Sequence, residues 1–484
     1  GVTTVIDCGT ARVSRHSPWT GLASLQVEPV SQASATQRAG RAGRTASGHC
    51  VRLYSEHELR GRRAFDTPEI ARSDLAACAL QLAASGESLS TLQWLDEAPE
   101  RAQRAAEDLL EALGAVRAGK LSKLGREMSA LPLHPRLARL VLEAVALGVP
   151  TMGARAAALL SERALRHGQR RGQEATATSS SDVLDDLDVL DELRASKYRS
   201  NVARAIGADI QTAKNVERSA QQLLRSLASK PKTASLSDQE RDEALRRALL
   251  AAFPDRASRR VRVRGESLLL CKGGAVTQSR ASSVLDAEYL LAIDVESRSQ
   301  SGGRSTLVRV ASEIDPLWLL DLPGVRDVDE HQYQTEGERV VRRTGIYYGD
   351  FAIDEELIVD PKRMDASEAR KALHAALIEG KLVQVVDAKE LDAYKLRLQF
   401  AAKATPTLDW PEHNDRAVST ALLAMAESPT RLSDLRGLSI VDALHWALTA
   451  EQRKALETTA PTHVSIPGRK RVEVNYEIDR PPWI

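Results

Sequence analysis

The sequence predicts a multidomain protein that is mainly α-helical and also has α/β and β parts. At 484 residues the chain is too long for one hydrophobic core, and such a length predicts about three to five domains. Only 4% of the residues are aromatic, whereas Ala, Leu and Arg are abundant, and this composition favours helices over β-sandwiches. One internal segment changes to a strand-like pattern and adds the β part.

The first three regions of the chain differ in pattern. Residues 1–55 alternate short β-rich runs with an arginine-rich stretch, as an α/β domain would. Residues 65–135 predict short helices and a small hairpin around Gly119, the arrangement of a winged helix. Residues 136–250 predict helices, interrupted at 168–182 by a polar, small-residue stretch that we expect to be a loop.

The remaining regions change period again. Residues 258–330 contain the runs RRVRVRGESLLLCKGG and EYLLAIDVES, which predict strands. The tail is mixed, with helices predicted over 366–380 and 439–448 and a strand pair over 463–478. No internal repeat is present.

Composition and spacing exclude several protein classes. The net charge is +1, and the four cysteines lie too far apart in sequence to suggest a metal site or a disulfide framework, so we expect a reduced, cytoplasmic setting. No apolar run reaches the roughly 20 residues of a membrane helix, and no signal peptide is recognisable. We therefore expect no membrane association, no metal site and a monomer. Because the sequence starts inside a strand-like run without Met, we also expect a fragment.

The stretch ASATQRAGRAGR, residues 33–44, concentrates long polar side chains among small residues. These residues are Gln37, Arg38, Arg41 and Arg44, with Gly40 and Gly43 between them. The arginines repel one another and bury little, so they predict an anionic ligand. A helix starting here would bring residues three apart onto one face, so that Arg41 and Arg44 point together. The alternative is a solvated basic turn.

This stretch resembles the sixth motif of superfamily 2 helicases, and its surroundings extend the resemblance. The blocks TPEIARSDLAACALQLAASG, LQWLDEAPE, LSKLGREMSALPLHPRLARLVLEA and AAFPDRASRR are similar in order and spacing to bacterial HrpB-type helicases of the DEAH-box branch. The tail blocks WPEHNDRA, TTAPTHVSIPG and NYEIDRPPW resemble the C-terminal region of the same group. The resemblance therefore covers nearly the whole chain.

The resemblance implies an ATP-dependent, RNA-directed helicase. It implies that Arg41 and Arg44 are arginine fingers and that Gln37 helps to order the γ-phosphate and the attacking water. Arg38, as a phosphate or interlobe contact, and Gly40, through its close backbone approach, would complete the nucleotide-binding set together with Gln37 and the two fingers. ATP with Mg²⁺ would be held mainly by a first RecA-like lobe.

The resemblance also implies a domain order. The implied domains are the end of a second RecA-like lobe (1–64), a winged helix (65–135), a helical ratchet bundle (136–250), an OB-like barrel (251–330) and an HrpB-type C-terminal domain (331–484). The sequence has no G-x-x-x-x-G-K-[ST] loop and no Asp-Glu-x-His motif. With half an ATPase site, the chain alone should not turn over ATP. The alternatives are a nucleic-acid-binding module without ATPase activity and a non-functional remnant.

A second cationic pattern lies in RRVRVRG, residues 259–265. If this run is a strand, its valines enter the barrel core and Arg260, Arg262 and Arg264 face outward together. Such a row would follow the phosphates of single-stranded nucleic acid. The alternative is a charged, solvated strand edge.

Overall fold

The computed structural model describes residues 2–17, 22–162, 165, 178–227, 233–300, 303–477 and 480–484. It divides into two units, Gly1–Val325 with Tyr348–Phe351, and Arg326–Tyr347 with Ala352–Ile484. The predicted mixture of helices and sheets is confirmed. Part of the polar stretch predicted as a loop at 168–182 lies outside the described residues. In the described chain, no helix has both the length and the apolar character needed to cross a bilayer.

The N-terminal region is α/β, as predicted. Its elements are β1 (Thr4–Asp7), β2 (Thr10–Ser17), β3 (Leu22–Pro29), α1 (Gln32–Ala39), β4 (His49–Arg52) and α2 (Glu56–Arg60). Strands β1 and β4 are paired in parallel. Strands β2 and β3 pair antiparallel over their full length, and this hairpin was not predicted from the sequence.

The next region has the helix and the small hairpin predicted around Gly119, and a further helix follows the hairpin. Its elements are α3 (Ala76–Ala84), α4 (Glu100–Ala112), β5 (Val116–Arg117), β6 (Lys120–Leu121) and α5 (Lys123–Ser129). Gly119 has a φ of +74°, a conformation that glycine adopts without a steric penalty, and this allows the two-residue turn. Helices α3, α4 and α5 share a core that includes Leu80, Leu110 and Met128.

Helices continue through the segment predicted to be helical. They are α6 (Pro135–Ala146), α7 (Pro150–Ser161), α8 (Asp182–Ala195), α9 (Ser200–Ala205), α10 (Ile210–Ser226) and α11 (Asp238–Ala252). Small residues allow close packing: a Cβ added at Gly153 of α7 would lie 2.2 Å from Cβ of Ala144 in α6. Helices α6 and α7 therefore approach each other closely at this point.

A five-stranded closed barrel follows. Its strands are β7 (Ala257–Arg260), β8 (Ser267–Leu270), β9 (Ala275–Gln278), β10 (Tyr289–Gln300) and β11 (Gly303–Glu313). The strand order is β10-β11-β9-β8-β7, with β9 and β11 parallel and β10 closing onto β7. Leu268, Leu290 and Val308 fill its interior.

Two carboxylates join the barrel to the helices, one buried (Asp182) and one with a side chain only 11% exposed (Asp255). Asp182, at the start of α8, accepts hydrogen bonds from Ser282 Oγ at 2.7 Å, from Ser283 N at 2.9 Å and from Ala311 N at 2.9 Å. Asp255, just before β7, forms a bidentate pair with Arg136 of α6 at 2.6 and 2.7 Å. Each carboxylate thereby connects segments that are at least 100 residues apart.

The second unit combines a sheet, five helices and a hairpin. Its elements are β12 (Val325–Gln334), β13 (Arg339–Tyr348), β14 (Phe351–Ile358), α12 (Ala366–Ala376), α13 (Ala388–Ala404), α14 (Asp415–Ala424), α15 (Ile440–Ala447), α16 (Ala450–Thr459), β15 (His463–Ile466) and β16 (Arg469–Glu473). The predicted helices α12 and α15 and the closing strand pair are confirmed. The sheet β12-β13-β14 is an element that the sequence analysis did not name.

We predict that Asp255→Asn destabilises the first unit by about 3–5 kcal/mol, because it leaves the buried Arg136 guanidinium without a counter-charge. Burial alone would raise the pKa of Asp255, but Arg136 outweighs burial and holds that pKa well below its ordinary value. The folded state therefore binds fewer protons than the unfolded state, and the stabilisation present above the ordinary aspartate pKa of about 4 is lost as the pH falls below it.

Urea unfolding at neutral and acidic pH checks this prediction. The variant should lose most stability at neutral pH and less at acidic pH. Glu56→Gln is a matched control, since it removes an exposed pair with Arg60, and it should leave the free energy of unfolding almost unchanged. Equal stability of Asp255→Asn and the wild type would contradict the assignment.

Candidate functional site

The arginine-rich stretch is only partly helical. Helix α1 begins after Ser31, whose hydroxyl accepts from Ser34 N, and ends at Ala39. Gln37 and Arg38 are therefore helical, whereas Arg41 and Arg44 lie in the turns that follow. The prediction that a helix face aligns Arg41 with Arg44 is wrong.

Helix α1 ends at Ala39, where two glycines follow and the backbone tightens into turns. Gly40 and Gly43 disfavour continuation of a helix. The backbone instead forms tight turns in which an N–H donates to the carbonyl three residues before it. These bonds run from Arg41 N to Arg38 O at 3.1 Å and from Gly43 N to Gly40 O at 3.2 Å. Arg41 and Arg44 are thus carried by irregular backbone.

A close backbone contact holds the turn in position. Ala42, between the two arginines, is 3% exposed. A Cβ added at Gly48 would lie 2.1 Å from Ala42 O, well inside van der Waals contact. Only glycine at position 48 lets the chain before β4 pass this carbonyl, so the arginine turn is fixed against the sheet.

The fold itself does not require the two motif glycines. Gly40 has an ordinary helical φ of −61°. A Cβ there would meet backbone oxygens at 3.5 and 3.6 Å, an ordinary contact, and one at Gly43 would meet only Gly40 O at 4.0 Å. Their lack of side chains therefore leaves the surface between the arginines open.

The side chains of the motif differ in their partners. Gln37, Arg41 and Arg44 are exposed, and no hydrogen bond or ion pair engages the Arg41 or Arg44 guanidinium within the described part of the chain. Arg60 and Arg63 of the same region pair with carboxylates. The two motif arginines thus present uncompensated positive charge on a fixed turn.

Arg38 faces the protein instead. Its guanidinium donates to Asp7 Oδ1 at 2.8 Å and to Thr10 O at 3.1 Å. Asp7 is 2% exposed and also accepts from Tyr54 OH at 2.7 Å and from Gly9 N at 2.9 Å. Burial raises the pKa of Asp7, but these donors outweigh it and leave the pKa below the ordinary value. Arg38 therefore fastens α1 to the end of β1.

Gly9, Tyr54 and Arg62 complete this support. Gly9 has a φ of +75°, and a Cβ there would lie 2.4 Å from the Tyr54 ring. The Arg62 guanidinium lies 4.0 Å from the centroid of that ring and donates to Gly9 O at 2.9 Å. These residues and Asp7 were not predicted from the sequence. The Asp-Cys-Gly run that begins at the last residue of β1 is a signal for Asp7 and Gly9.

The prediction of one continuous strand over the basic run of the barrel is wrong. Strand β7 ends at Arg260, and residues 261–266 form a turn. Arg260 is 7% exposed and donates to Ala287 O and Val284 O, both at 2.8 Å. Val261 and Val263 are exposed, by 58% and 92%. The polarity of the run is thus reversed: an arginine is inside, and the valines are outside.

The three arginines consequently have different surroundings. Arg264 has a positive φ of 55° and pairs with Asp286 at 2.5 Å. Arg262 is exposed, and no partner holds its guanidinium among the described residues. It lines a surface cavity of about 400 Å³ together with Arg259, Leu269 and Glu288. Of the predicted row, Arg262 therefore offers a free cation.

Comparison with known proteins agrees with this architecture. A family model described as the helicase associated domain (HA2), winged-helix, matches residues 106–133, which include the β5–β6 hairpin. The chain is 29% identical to the ATP-dependent RNA helicase HrpB of Escherichia coli (strain K12), in an alignment covering 100% of this chain and 55% of that protein. It is 46% identical to the ATP-dependent RNA helicase HrpA of the same organism, over 30% of this chain and 12% of that protein.

A solved structure gives the same relationship. The crystal structure of the E. coli DExH-box NTPase HrpB matches with a TM-score of 0.56 and 26% identity, covering 100% of this chain and 55% of that one. The chain thus spans about half the length of the HrpB proteins it matches. The resemblance to HrpB-type ATP-dependent helicases predicted from the sequence blocks is confirmed along the whole chain.

Proposed function

We propose that this chain works as part of an ATP-dependent RNA helicase, in which Arg41 and Arg44 reach a nucleotide bound by another lobe. The observation that carries the proposal is the fixed turn with two exposed, unpaired guanidinium groups separated by glycine. A guanidinium remains ionised and can give two parallel hydrogen bonds to phosphate oxygens. Such groups stabilise the charge that develops during phosphoryl transfer.

The other residues of the motif have supporting roles in this proposal. Gln37 is exposed at the last turn of α1, where its amide can orient water beside the phosphate. The open surface at Gly40 and Gly43 admits the nucleotide close to the backbone. Arg38, held by Asp7, positions the helix that carries Gln37, so we assign it to support of the site rather than to direct phosphate contact.

Exposed apolar side chains on the sheet of this region support the presence of a second lobe or of another structure that covers the sheet. Strands β1 and β4 are parallel, yet Ile6, Val51 and Leu53 are 69%, 50% and 65% exposed. Parallel sheets of soluble proteins are covered on both faces. A partner lobe carrying the phosphate-binding loop and Mg²⁺ would complete both the apolar packing and the ATPase site.

Nucleic-acid binding is assigned to the barrel and its neighbours. The strand order of the closed barrel, with β9 parallel to β11, supports an OB-like domain, and such domains bind single strands in a groove. We therefore propose the domain order that the resemblance implies, including the ratchet bundle at 136–250. Arg262 is the phosphate contact of the basic run, while Arg260 and Arg264 act structurally.

Removing either finger should abolish most ATP turnover. In a longer protein that contains this chain and a phosphate-binding lobe, Arg41→Ala or Arg44→Ala should lower the ATP hydrolysis rate by about 10³-fold or more. Nucleotide affinity should change far less. Arg60→Ala is the control, because Arg60 is exposed in the same region but pairs with Glu56.

Steady-state hydrolysis with and without RNA measures this effect. Near-normal turnover in both finger variants would overturn the assignment. The 484-residue chain alone should show no turnover above the blank, and measurable turnover would contradict the proposed division of the site between lobes.

The glycines should separate into two groups. Gly48→Ala should destabilise the N-terminal region by about 1–3 kcal/mol, as overpacking does, and should raise hydrogen exchange over residues 30–64. Gly40→Ala and Gly43→Ala should preserve stability but lower ATP turnover by about tenfold to 100-fold through misplacement of the nucleotide. Full turnover in the latter two variants would contradict a close approach of the nucleotide.

The basic run should contribute one phosphate contact rather than three. Arg262→Ala should reduce the slope of log affinity against log salt by about 0.7 for single-stranded RNA, whereas Arg264→Ala should leave it unchanged. Arg260→Ala should instead destabilise the barrel, because three backbone carbonyls lose their donor. A salt titration with labelled RNA checks this, and an unchanged slope in folded Arg262→Ala would exclude the contact.

A further inference from the structure

The second unit exposes a tryptophan that takes no part in its core. Trp446 is 69% exposed, the largest exposed fraction among the tryptophans described. The buried side chains of α15 are Ile440, Ala443 and Leu444. Trp446 follows Leu444 by two positions, roughly 200° around the helix. Helix packing therefore directs the indole away from the core.

A cation accompanies this ring. The Arg453 guanidinium, on α16, lies 5.4 Å from the centroid of the Trp446 ring. Arg453 forms no ion pair among the described residues, whereas Arg342, Arg343 and Arg436 of the same unit all pair with carboxylates. A cation within about 6 Å of an aromatic face is attracted to it. The pair thus combines a largely exposed indole with a guanidinium that has no ion-pair partner among the described residues.

The nearby sequence is polar rather than apolar. Asp442 is one helical turn before Trp446 and is exposed, and Glu457, one turn after Arg453, lies 3.9 Å from His445. A surface that docks a protein through apolar contact needs a continuous apolar patch, which a single indole among charged residues does not form. The two neighbouring carboxylates also repel an anionic ligand, so charge alone would not bind nucleic acid at this surface. Stacking on the indole therefore supplies the affinity.

We propose that Trp446 and Arg453 form a base-stacking site for single-stranded nucleic acid on the second unit. The proposal rests on the nucleic-acid function proposed above, and it adds a binding site outside the barrel. A base stacks on the exposed indole face, and Arg453 contacts the adjacent phosphate. Because every base has a π-face, the site has little sequence preference.

Binding of a labelled single-stranded RNA by the full 484-residue chain tests the proposal. Trp446→Ala should weaken binding by about tenfold or more without changing the salt slope, because it removes no phosphate contact. Trp446→Phe should retain part of the affinity. Arg453→Ala should weaken binding and reduce the salt slope by about 0.7. Trp483→Ala is the control, since Trp483 is also exposed, by 51%.

The outcomes separate this inference from the proposed function. Unchanged RNA affinity in folded Trp446→Ala would overturn the stacking site while leaving RNA binding and the finger assignment intact. A change of oligomeric state in Trp446→Ala, measured by sedimentation, would show instead that the indole packs against a second copy and would also overturn it. Absence of RNA binding by the wild-type chain would overturn both the site and the nucleic-acid role, whereas the ATPase prediction would be judged by its own measurement.

Discussion

A carboxylate removed from water must receive hydrogen bonds or a counter-charge from the protein itself. Three aspartates with little solvent exposure meet this requirement by joining segments distant in sequence. Asp182 and Asp255 connect the barrel to α8 and α6, and Asp7 connects the end of β1 to α1 and to Tyr54. The attachment of the barrel to the bundle and the attachment of α1 to β1 each depend on a few such polar contacts.

The same reasoning identifies the side chains that the fold does not use. Arg38, Arg136 and Arg260 each have buried acceptors, so their charges are satisfied internally. The guanidinium groups of Arg41 and Arg44 have no acceptor in the described chain, although the backbone between them is held in place at Ala42 by the close contact with Gly48. A turn held in place at Ala42 that carries two exposed guanidinium groups suits the role proposed above, because groups positioned before the reaction stabilise developing charge at a low cost of reorganisation.

The sequence predicted the helices, the small hairpin and the position of the arginine motif, because these depend on local periodicity, turns and a distinctive spacing. It did not predict the partners of each arginine. In RRVRVRG the alternation suits a strand, but Arg260 finds carbonyl acceptors from residues 284–287, and that contact depends on the closed barrel. Likewise, the support that Asp7 gives to Arg38 depends on the placement of α1 beside β1. Tertiary contacts thus determine the orientation and the partners of these arginines, which local sequence patterns do not specify.

The glycines of the N-terminal region divide into those that the packing of the fold requires and those that it does not require. Gly48 and Gly9 have no room for a Cβ, since backbone or an aromatic ring fills the space, so the fold alone accounts for them. Gly40 and Gly43 have room, and neither has a left-handed backbone. Gly40 and Gly43 disfavour continuation of the helix, but packing does not forbid a side chain at either position. They flank Arg41, and Arg44 follows directly, so the open backbone beside two unpaired guanidinium groups is consistent with the close approach of an anionic ligand proposed above.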